Sequence, residues 1–283
     1  MKHASTIRAG LVLAAATLLR HNAMAIPTAV DLGTASDFAV LAYSEITDAG
    51  GASTITGNVG LSPTTGAAIG LTAGQVNGTI YAVDAGGPLG SVNDPALLTT
   101  AKNDLNTAFT SASGLPATSL AGADNQLGGK TLDAGVYSIA AASTANLIGT
   151  LTLNAQGNPN AVFIIRASST LITASDSSVV LMNGAQACHV FWVIGSSATL
   201  GTGTDFMGNI MALTSIGLDN GATLDGSLLA ENGAVTLDDN TITEAICNTS
   251  SVPDSGGTLL LFGVGLASLF AFRPFLSRNI VVA

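Results

Sequence analysis

The chain has 283 residues, which is enough for one or two domains with a sizeable hydrophobic core. Its formal net charge of -10 argues against nucleic-acid binding, because that function requires a basic surface that neutralises phosphates. Aromatic residues make up only 5% of the chain and Gly, Ala, Ser and Thr are abundant, so flat layers of small side chains are favoured over a deep aromatic pocket.

The first 25 residues have the three parts of a secretory signal peptide. Lys2 and Arg8 supply the positive start, residues 9–19 form an apolar stretch, and residues 23–25 form an A-x-A cleavage site. The apolar stretch is shorter than a membrane span. We therefore expect the mature chain to begin after Ala25.

An amphipathic helix is predicted over residues 94–113. Pro95 suits the first helical turn, and Gly114 suits a C-terminal cap. Apolar residues recur at steps of three and four, with Phe109 beside them, and Lys102, Asn103 and Asn106 occupy the opposite side. The apolar positions are Leu98, Ala101, Leu105, Ala108 and Ala112. This pattern predicts one helix that lies on an apolar surface.

After the helix, the chain consists of short strand-like segments that repeat. Residues 161–172 return as residues 189–200, and the apolar residue before each turn recurs at steps of 19, 28, 18 and 19. These residues are Leu153, Ile172, Leu200, Leu218 and Leu237. A step of 18 or 19 corresponds to one coil of a three-sided β-solenoid, and the step of 28 to a coil with an insertion. A β-sandwich also uses short strands, but it does not explain the return of whole segments.

Residues 34–80 have the same pattern of short segments as the part that follows the helix. The helix therefore interrupts the solenoid, and the N-terminal coils must cap or extend the C-terminal ones. The predicted fold is mostly β: a triangular, discontinuous β-solenoid over residues 26–248 with one long α-helix packed alongside.

Two cysteines, Cys188 and Cys247, lie in the exported part. In an oxidising compartment such an even pair predicts one disulfide, and two free thiols or a catalytic cysteine are the alternatives. A catalytic cysteine needs a histidine partner, and the mature part has only His189. Adjacent strand residues point to opposite faces, which argues against a pair formed by Cys188 and His189.

The C-terminal residues 249–283 are predicted to be a sorting or anchor tail. A Pro-Asp-Ser-Gly segment at 253–256 is followed by an apolar run at 258–272 and then by Arg273. This arrangement resembles the bacterial tails that exosortase-type enzymes process, and the resemblance implies a sorting enzyme as partner and transient membrane attachment. The alternative is a simple transmembrane anchor helix, for which the apolar run is marginal in length.

Several segments in the same order resemble the secreted microbial ice-binding (antifreeze) family. They are 32–42 (LGTASDFAVLA), 54–63 (TITGNVGLSP), 135–137 (GVY), 157–165 (GNPNAVFII), 183–187 (NGAQA), 190–192 (VFW) and 237–243 (LDDNTIT). The resemblance implies a discontinuous β-solenoid with one helix beside it, secretion, and binding to ice crystals. It also implies action through a flat face of small residues that orders water.

The expected ice-binding face follows from aligning the corners of the repeats. Small polar triplets recur at 174–176, 202–204, 220–222 and 239–241, although Asp176 and Asp239 depart from the uncharged pattern. The candidate ice-binding residues are Thr173, Ser175, Thr202, Thr204, Asn220, Ala222, Thr223 and Thr241. The alternative is that these are ordinary turn residues with left-handed or Asx-turn geometry.

Neither catalysis nor a cofactor is expected. Residues 26–252 contain three basic and 17 acidic side chains, a net charge of -14, and the bases lie far apart in the sequence. Four acids near one another in repeat phase suggest Ca²⁺, but they lack the alternating spacing of a calcium loop. They are Asp219, Asp225, Asp238 and Asp239. We therefore expect a monomer that binds no metal and contacts a membrane only through the tail. The alternative function is that of an adhesion or biofilm-matrix module with the same fold.

Overall fold

The computed structural model describes residues 27–120, 125–139 and 143–248. These residues form three parallel β-sheets, and along most of the chain each strand belongs to a different sheet from the strand before it. Every strand pair is parallel. This is the arrangement of a three-sided β-solenoid, and the predicted fold is confirmed.

Each sheet forms one side of the solenoid. The ten-stranded sheet contains β1 (Phe38–Ala42), β4 (Asn58–Leu61), β6 (Ile80–Ala82), β7 (Val92–Asn93), β8 (Thr118–Ser119), β10 (Gly135–Ser138), β13 (Phe163–Ala167), β16 (Val190–Ile194), β19 (Asn209–Ala212) and β22 (Leu228–Ala230). The six-stranded sheet contains β2 (Ile46–Asp48), β11 (Ala145–Leu147), β14 (Leu171–Thr173), β17 (Ala198–Leu200), β20 (Ile216–Leu218) and β23 (Val235–Leu237). The eight-stranded sheet contains β3 (Thr54–Thr56), β5 (Val76–Asn77), β9 (Thr131–Asp133), β12 (Thr150–Asn154), β15 (Ser178–Met182), β18 (Asp205–Met207), β21 (Thr223–Asp225) and β24 (Thr241–Thr243).

The core of the solenoid consists of inward side chains from all three sheets. In a three-residue strand, the burial pattern shows which side chains point inward. The first and third residues of β17 are buried, whereas in β24 only the middle residue is buried. Trp192 is the largest fully buried side chain of the described residues; it packs against Phe206 and donates a hydrogen bond from Nε1 to the Met207 carbonyl at 2.9 Å. Leu, Ile, Val and Ala occupy most of the other inward positions and fill the space between the three sheets.

The length of a coil differs between the two halves of the solenoid. Strands β16 and β19 pair at an offset of 18 residues, whereas β10, β13 and β16 pair at offsets of 28 and 27. The additional residues lie at the corner between the eight-stranded and ten-stranded sheets, as in residues 183–189. The predicted alignment of the coils is wrong at two residues. Leu153 belongs to the eight-stranded sheet, and Thr173, not Ile172, is in line with Leu200.

The N-terminal coils extend the solenoid beyond its last C-terminal coil. Strand β1 pairs with β22, β2 with β23 and β3 with β24, so Val40 lies beside Leu228 although the two are far apart in the sequence. The expectation that the N-terminal part caps or extends the C-terminal coils is confirmed. The chain crosses between the two blocks of coils through the helix.

The helix α1 spans Pro95–Ser113, close to the predicted 94–113. Asp94 caps it by accepting a hydrogen bond from the Leu97 backbone N–H at 2.9 Å. The five predicted apolar positions are all buried, and they pack against outward side chains of the ten-stranded sheet such as Phe191 and Leu229. The helix therefore covers that sheet.

Lys102, which was predicted on the side of the helix opposite the apolar positions, is partly buried. Its Nζ donates hydrogen bonds to the backbone carbonyls of Ala230 and Glu231 at 2.7 and 2.8 Å, and Asn106 Nδ2 donates to Glu231 Oε1 at 2.9 Å. Burial lowers the pKa of Lys102 to about 8, against an opposing effect of the Glu231 carboxylate. These contacts fasten α1 to the end of β22.

The predicted disulfide is confirmed. Cys188 and Cys247 are bonded and their Cα atoms are 5.5 Å apart, which ties the segment after β24 to a 3-10 turn at Ala187–His189. The premise used against a pair of Cys188 and His189, that the two residues lie on a strand, was wrong, because they belong to a 3-10 turn. Cys188 is bonded to Cys247 and is therefore no nucleophile. His189 Nε2 lies 3.4 Å from Cys247 Sγ.

Among the described residues, no helix combines the length and the apolar character that crossing a membrane requires. The predicted signal peptide at 1–25 and the predicted tail at 249–283, with its apolar run at 258–272, lie outside the described residues.

Candidate functional site

The three sides of the solenoid offer different surfaces to solvent. The ten-stranded sheet is covered by α1, and its central strands are buried on both faces. Five strands of the six-stranded sheet expose only their middle residue, and β2 also partly exposes Asp48, so that side has one narrow column of outward side chains. The column consists of Thr47, Asn146, Ile172, Thr199, Gly217 and Thr236.

The eight-stranded sheet has the opposite pattern, because its three-residue strands bury the middle residue and expose the two outer ones. Two columns of outward side chains run along the solenoid, and Asp133, Asn154 and Met182 form a third, shorter one. The first consists of Thr54, Thr150, Ser178, Asp205, Thr223 and Thr241, and the second of Thr56, Asn77, Thr131, Thr152, Val180, Met207, Asp225 and Thr243. We call these two columns the threonine face.

The geometry of the threonine face follows from that of a parallel sheet. Neighbouring strands are about 4.8 Å apart, and alternate residues of one strand are about 6.6 Å apart. Hydroxyl groups of adjacent coils approach each other: Thr54 Oγ1 donates to Thr241 Oγ1 at 3.4 Å, and Thr150 Oγ1 and Ser178 Oγ are 2.8 Å apart. Because β-branched side chains have few rotamers, these methyl and hydroxyl groups are held in a regular array.

Two carboxylates interrupt this array, and neither column contains a basic side chain. Asp205 Oδ1 accepts a hydrogen bond from Thr223 Oγ1 at 2.9 Å. Burial, and then the nearby charge of Asp205, raise the pKa of Asp225. The two carboxylates therefore separate two uncharged parts of the face. One lies on β9, β12 and β15, and the other on β24 and β3, where Thr54 and Thr56 lie beside Thr241 and Thr243.

Three of the residues predicted to contact ice point into the core. Thr173, Thr204 and Ala222 are at most 3% exposed, so they cannot contact ice, and the prediction was wrong for them. Thr173 stands in line with the inward residue Leu200, and its hydroxyl lies 2.8 Å from that of Thr204. The alignment of apolar residues did not identify Thr173 as an inward residue, because it assumed that every core position is apolar.

The other five predicted residues are exposed. Thr223 and Thr241 lie in the first column of the threonine face, whereas Ser175, Thr202 and Asn220 lie at the corner between the six-stranded and eight-stranded sheets. Sequence reasoning missed Thr54, Thr56 and Thr243 as members of the face. The signal for them was the segment Thr-Ile-Thr, which occurs at both 54–56 and 241–243.

At the corner, turn geometry accounts for part of the sequence pattern. One residue per coil has a left-handed backbone with φ between 53° and 73°: Asp176, Gly203, Gly221 and Asp239. Gly and Asp suit this conformation, so the departures at Asp176 and Asp239 have a backbone cause. Two of the nearby acids share one amide partner, since Asn220 Nδ2 donates to Asp238 Oδ1 and Asp239 Oδ2 at 3.4 Å.

The buried pair of threonines provides a test of this placement. Thr173 Oγ1 accepts from the Gly201 N–H at 2.8 Å, and Thr204 Oγ1 donates to the Ala174 carbonyl at 3.3 Å, which leaves the Thr173 hydroxyl as donor to Thr204. Replacing Thr204 with Val removes one partner from a buried donor and should lower the free energy of unfolding by about 1–3 kcal/mol. Urea denaturation measures this effect.

The exposed Thr202 on the same turn is the matched control, and its replacement with Val should change stability by less than about 0.5 kcal/mol. Unchanged stability of the Thr204→Val protein would contradict the burial of this side chain.

Comparison with known proteins identifies relatives along most of the chain. A model of the family described as ice-binding-like matches residues 40–243. A protein of Nostoc sp. (strain HG1) named "ice-binding protein" is 48% identical over 249 residues, which cover 86% of each chain. A Colwellia protein of the same name is 41% identical over 218 residues, covering 76% of this chain and 84% of the relative.

Solved structures agree with these relatives. The ice-binding protein of the Antarctic ascomycete Antarctomyces psychrotrophicus superposes with a TM-score of 0.66 at 39% identity, covering 79% of this chain and all (100%) of that one. An ice-binding protein from an Arctic yeast superposes with a TM-score of 0.70 at 27% identity, covering 79% and 97%. None of these relatives supports the alternative of an adhesion or matrix module.

Proposed function

The chain belongs to the ice-binding-like family, and we propose on this basis that it binds ice through the threonine face. The observation that carries the choice of face is the register of β21, β24 and β3. It places Thr223, Thr241 and Thr54 in one column and Thr243 and Thr56 in the next. No other side of the described solenoid presents two adjacent outward columns that include threonines on successive coils.

The chemistry of these side chains suits an ice surface. A threonine hydroxyl can accept and donate hydrogen bonds to water, whereas its methyl group excludes water from the space beside it. On a rigid sheet, the two groups repeat at fixed intervals and can order a layer of water molecules that joins the ice lattice. The parallel ladders fix the backbone, so little conformational entropy is lost on adsorption.

The carboxylates of the threonine face should weaken this adsorption, because a charged group that loses its hydration is costly. Replacing Asp225 with Thr continues the column of Thr56 and Thr243. We expect ice recrystallisation inhibition at about half the protein concentration that the unaltered chain requires, since one charge no longer has to be dehydrated.

The matched control is Asp133→Thr, which removes a carboxylate of the same sheet that lies outside both columns. It should leave the activity unchanged. Lower activity of the Asp225→Thr protein, with an unchanged fold, would contradict the proposed role of uncharged side chains in this face.

The function needs neither catalysis nor a cofactor. We expect a monomer whose partner is the ice crystal surface, because the proposed contact involves one flat side of one chain. The basic test is whether the purified protein shapes ice crystals and inhibits their recrystallisation at micromolar concentration. A protein without any effect on ice would overturn the proposal, whatever face were chosen.

Export remains part of the proposal. The signal-like residues 1–25 and the disulfide between Cys188 and Cys247 both fit an oxidising, extracellular compartment. The tail at 249–283 would be the substrate of a sorting enzyme. Mass spectrometry of the secreted protein would locate both chain ends; an N-terminus upstream of Ile26 would contradict the proposed cleavage.

A further inference from the structure

One group of side chains in the described part of the chain combines the atom types that zinc prefers, two cysteine sulfurs and one histidine nitrogen, with the sulfurs joined as a disulfide. The sulfur atoms of Cys188 and Cys247 and a ring nitrogen of His189 all lie within 4.8 Å of one another. Cys188 and His189 belong to the 3-10 turn at Ala187–His189, and Cys247 lies in the segment that follows β24. This group is separate from the threonine face.

The histidine is oriented as a ligand. Its Nδ1 lies 3.2 Å from the Pro159 carbonyl oxygen, which can only accept a hydrogen bond, so Nδ1 carries a proton. In the neutral ring the lone pair is then on Nε2, 3.4 Å from Cys247 Sγ. A backbone carbonyl that holds Nδ1–H and presents Nε2 is the usual outer contact of metal-binding histidines.

The distances suit tetrahedral zinc once the two sulfurs are no longer bonded. Typical Zn–S and Zn–N bonds place a sulfur and a nitrogen ligand about 3.5 Å apart and two sulfurs about 3.8 Å apart. The distance of 3.4 Å between His189 Nε2 and Cys247 Sγ is close to the first of these values. The second requires rotation of the cysteine side chains, whose Cα atoms are 5.5 Å apart. A cavity of about 310 Å³ borders all three residues and has room for water as a fourth ligand.

We propose that the reduced chain binds one Zn²⁺ ion through Cys188 Sγ, Cys247 Sγ and His189 Nε2. On binding, the two thiols release two protons, the ion gains two thiolates, one imidazole nitrogen and one water, and no electrons are transferred. The ion and the disulfide use the same sulfurs and therefore exclude each other. Either one holds the segment after β24 against the turn, where Asn248 N–H also donates to Gln186 Oε1 at 2.7 Å.

The test uses the full protein, reduced with a phosphine and then freed of reductant without oxygen, with Co²⁺ as a spectroscopic probe and Zn²⁺ as competitor. We expect thiolate-to-cobalt absorption bands at one ion per chain, displacement by Zn²⁺, and slower reoxidation of the thiols when Zn²⁺ is present. The matched control is the oxidised protein, which should bind neither ion.

Replacing His189 with Phe should weaken cobalt binding at least tenfold while circular dichroism stays unchanged, since loss of even an outer contact typically costs about 10–100-fold. Absence of the absorption bands from the reduced protein would overturn the proposal, as would unfolding of the reduced protein in the presence of Zn²⁺. Equal cobalt binding by the His189→Phe protein would show that the two thiols act without the histidine, and would overturn it too.

Discussion

Replacing Thr241 with Tyr is expected to remove most of the ice-shaping and recrystallisation-inhibiting activity. Thr241 lies in the first column of the threonine face, between Thr223 and Thr54 on the neighbouring coils. A tyrosine ring there projects above the plane and keeps ordered water away from both neighbours. We expect a fall of about tenfold or more, which corresponds to about 1.4 kcal/mol of adsorption free energy. Thermal hysteresis and recrystallisation assays measure it.

The same substitution at Thr236 is the matched control. Thr236 is exposed on β23, in the same coil as Thr241 but on the six-stranded side. Both variants should unfold within about 0.5 kcal/mol of the unaltered protein, because both sites are on the surface. Thr236→Tyr should retain its activity. If Thr236→Tyr loses the activity and Thr241→Tyr keeps it, the six-stranded side is the ice-binding one.

Removing the disulfide should produce the largest loss of stability. In a protein with both Cys188 and Cys247 replaced by Ala, the free energy of unfolding should fall by about 4 kcal/mol, since the bond closes a loop with a sequence separation of 59 residues. This is a large part of the roughly 5–15 kcal/mol that stabilises a typical domain. Urea denaturation in the absence of metal ions measures the change, and the double substitution avoids a free thiol.

Ice shaping by the folded fraction of this variant should be unchanged near 0 °C, because neither cysteine belongs to the threonine face. The control is the unaltered protein under reducing conditions, which should lose a similar amount of stability. A change below about 1 kcal/mol would contradict the account of this bond as a constraint on the unfolded chain.

Local patterns predicted several elements correctly. The helix was found because its apolar residues recur at helical spacing between Pro95 and a closing Gly114, and both signals depend only on nearby residues. The disulfide followed from an even number of cysteines in a chain that is predicted to be exported. The solenoid followed from the return of whole segments at the length of one coil.

The register of the coils was predicted less well. Alignment by apolar residues assumed that every core position is apolar, and Thr173 violates this because Thr204 and the Gly201 N–H satisfy its hydroxyl. The composition of the threonine face depends on pairing between strands that are far apart in the sequence, which the local sequence pattern does not show. Thr54 joins Thr241 on the threonine face only because the first coil stacks on the last one, across a separation of 187 residues.

The most direct test of ice binding through the threonine face is adsorption to a single ice crystal. The purified protein and its Thr241→Tyr variant, labelled with different dyes, would be frozen together into one crystal hemisphere. The account expects the unaltered protein to concentrate on defined crystal planes and the variant to be absent from them. Equal incorporation of both proteins on the same planes would contradict the assignment of this face.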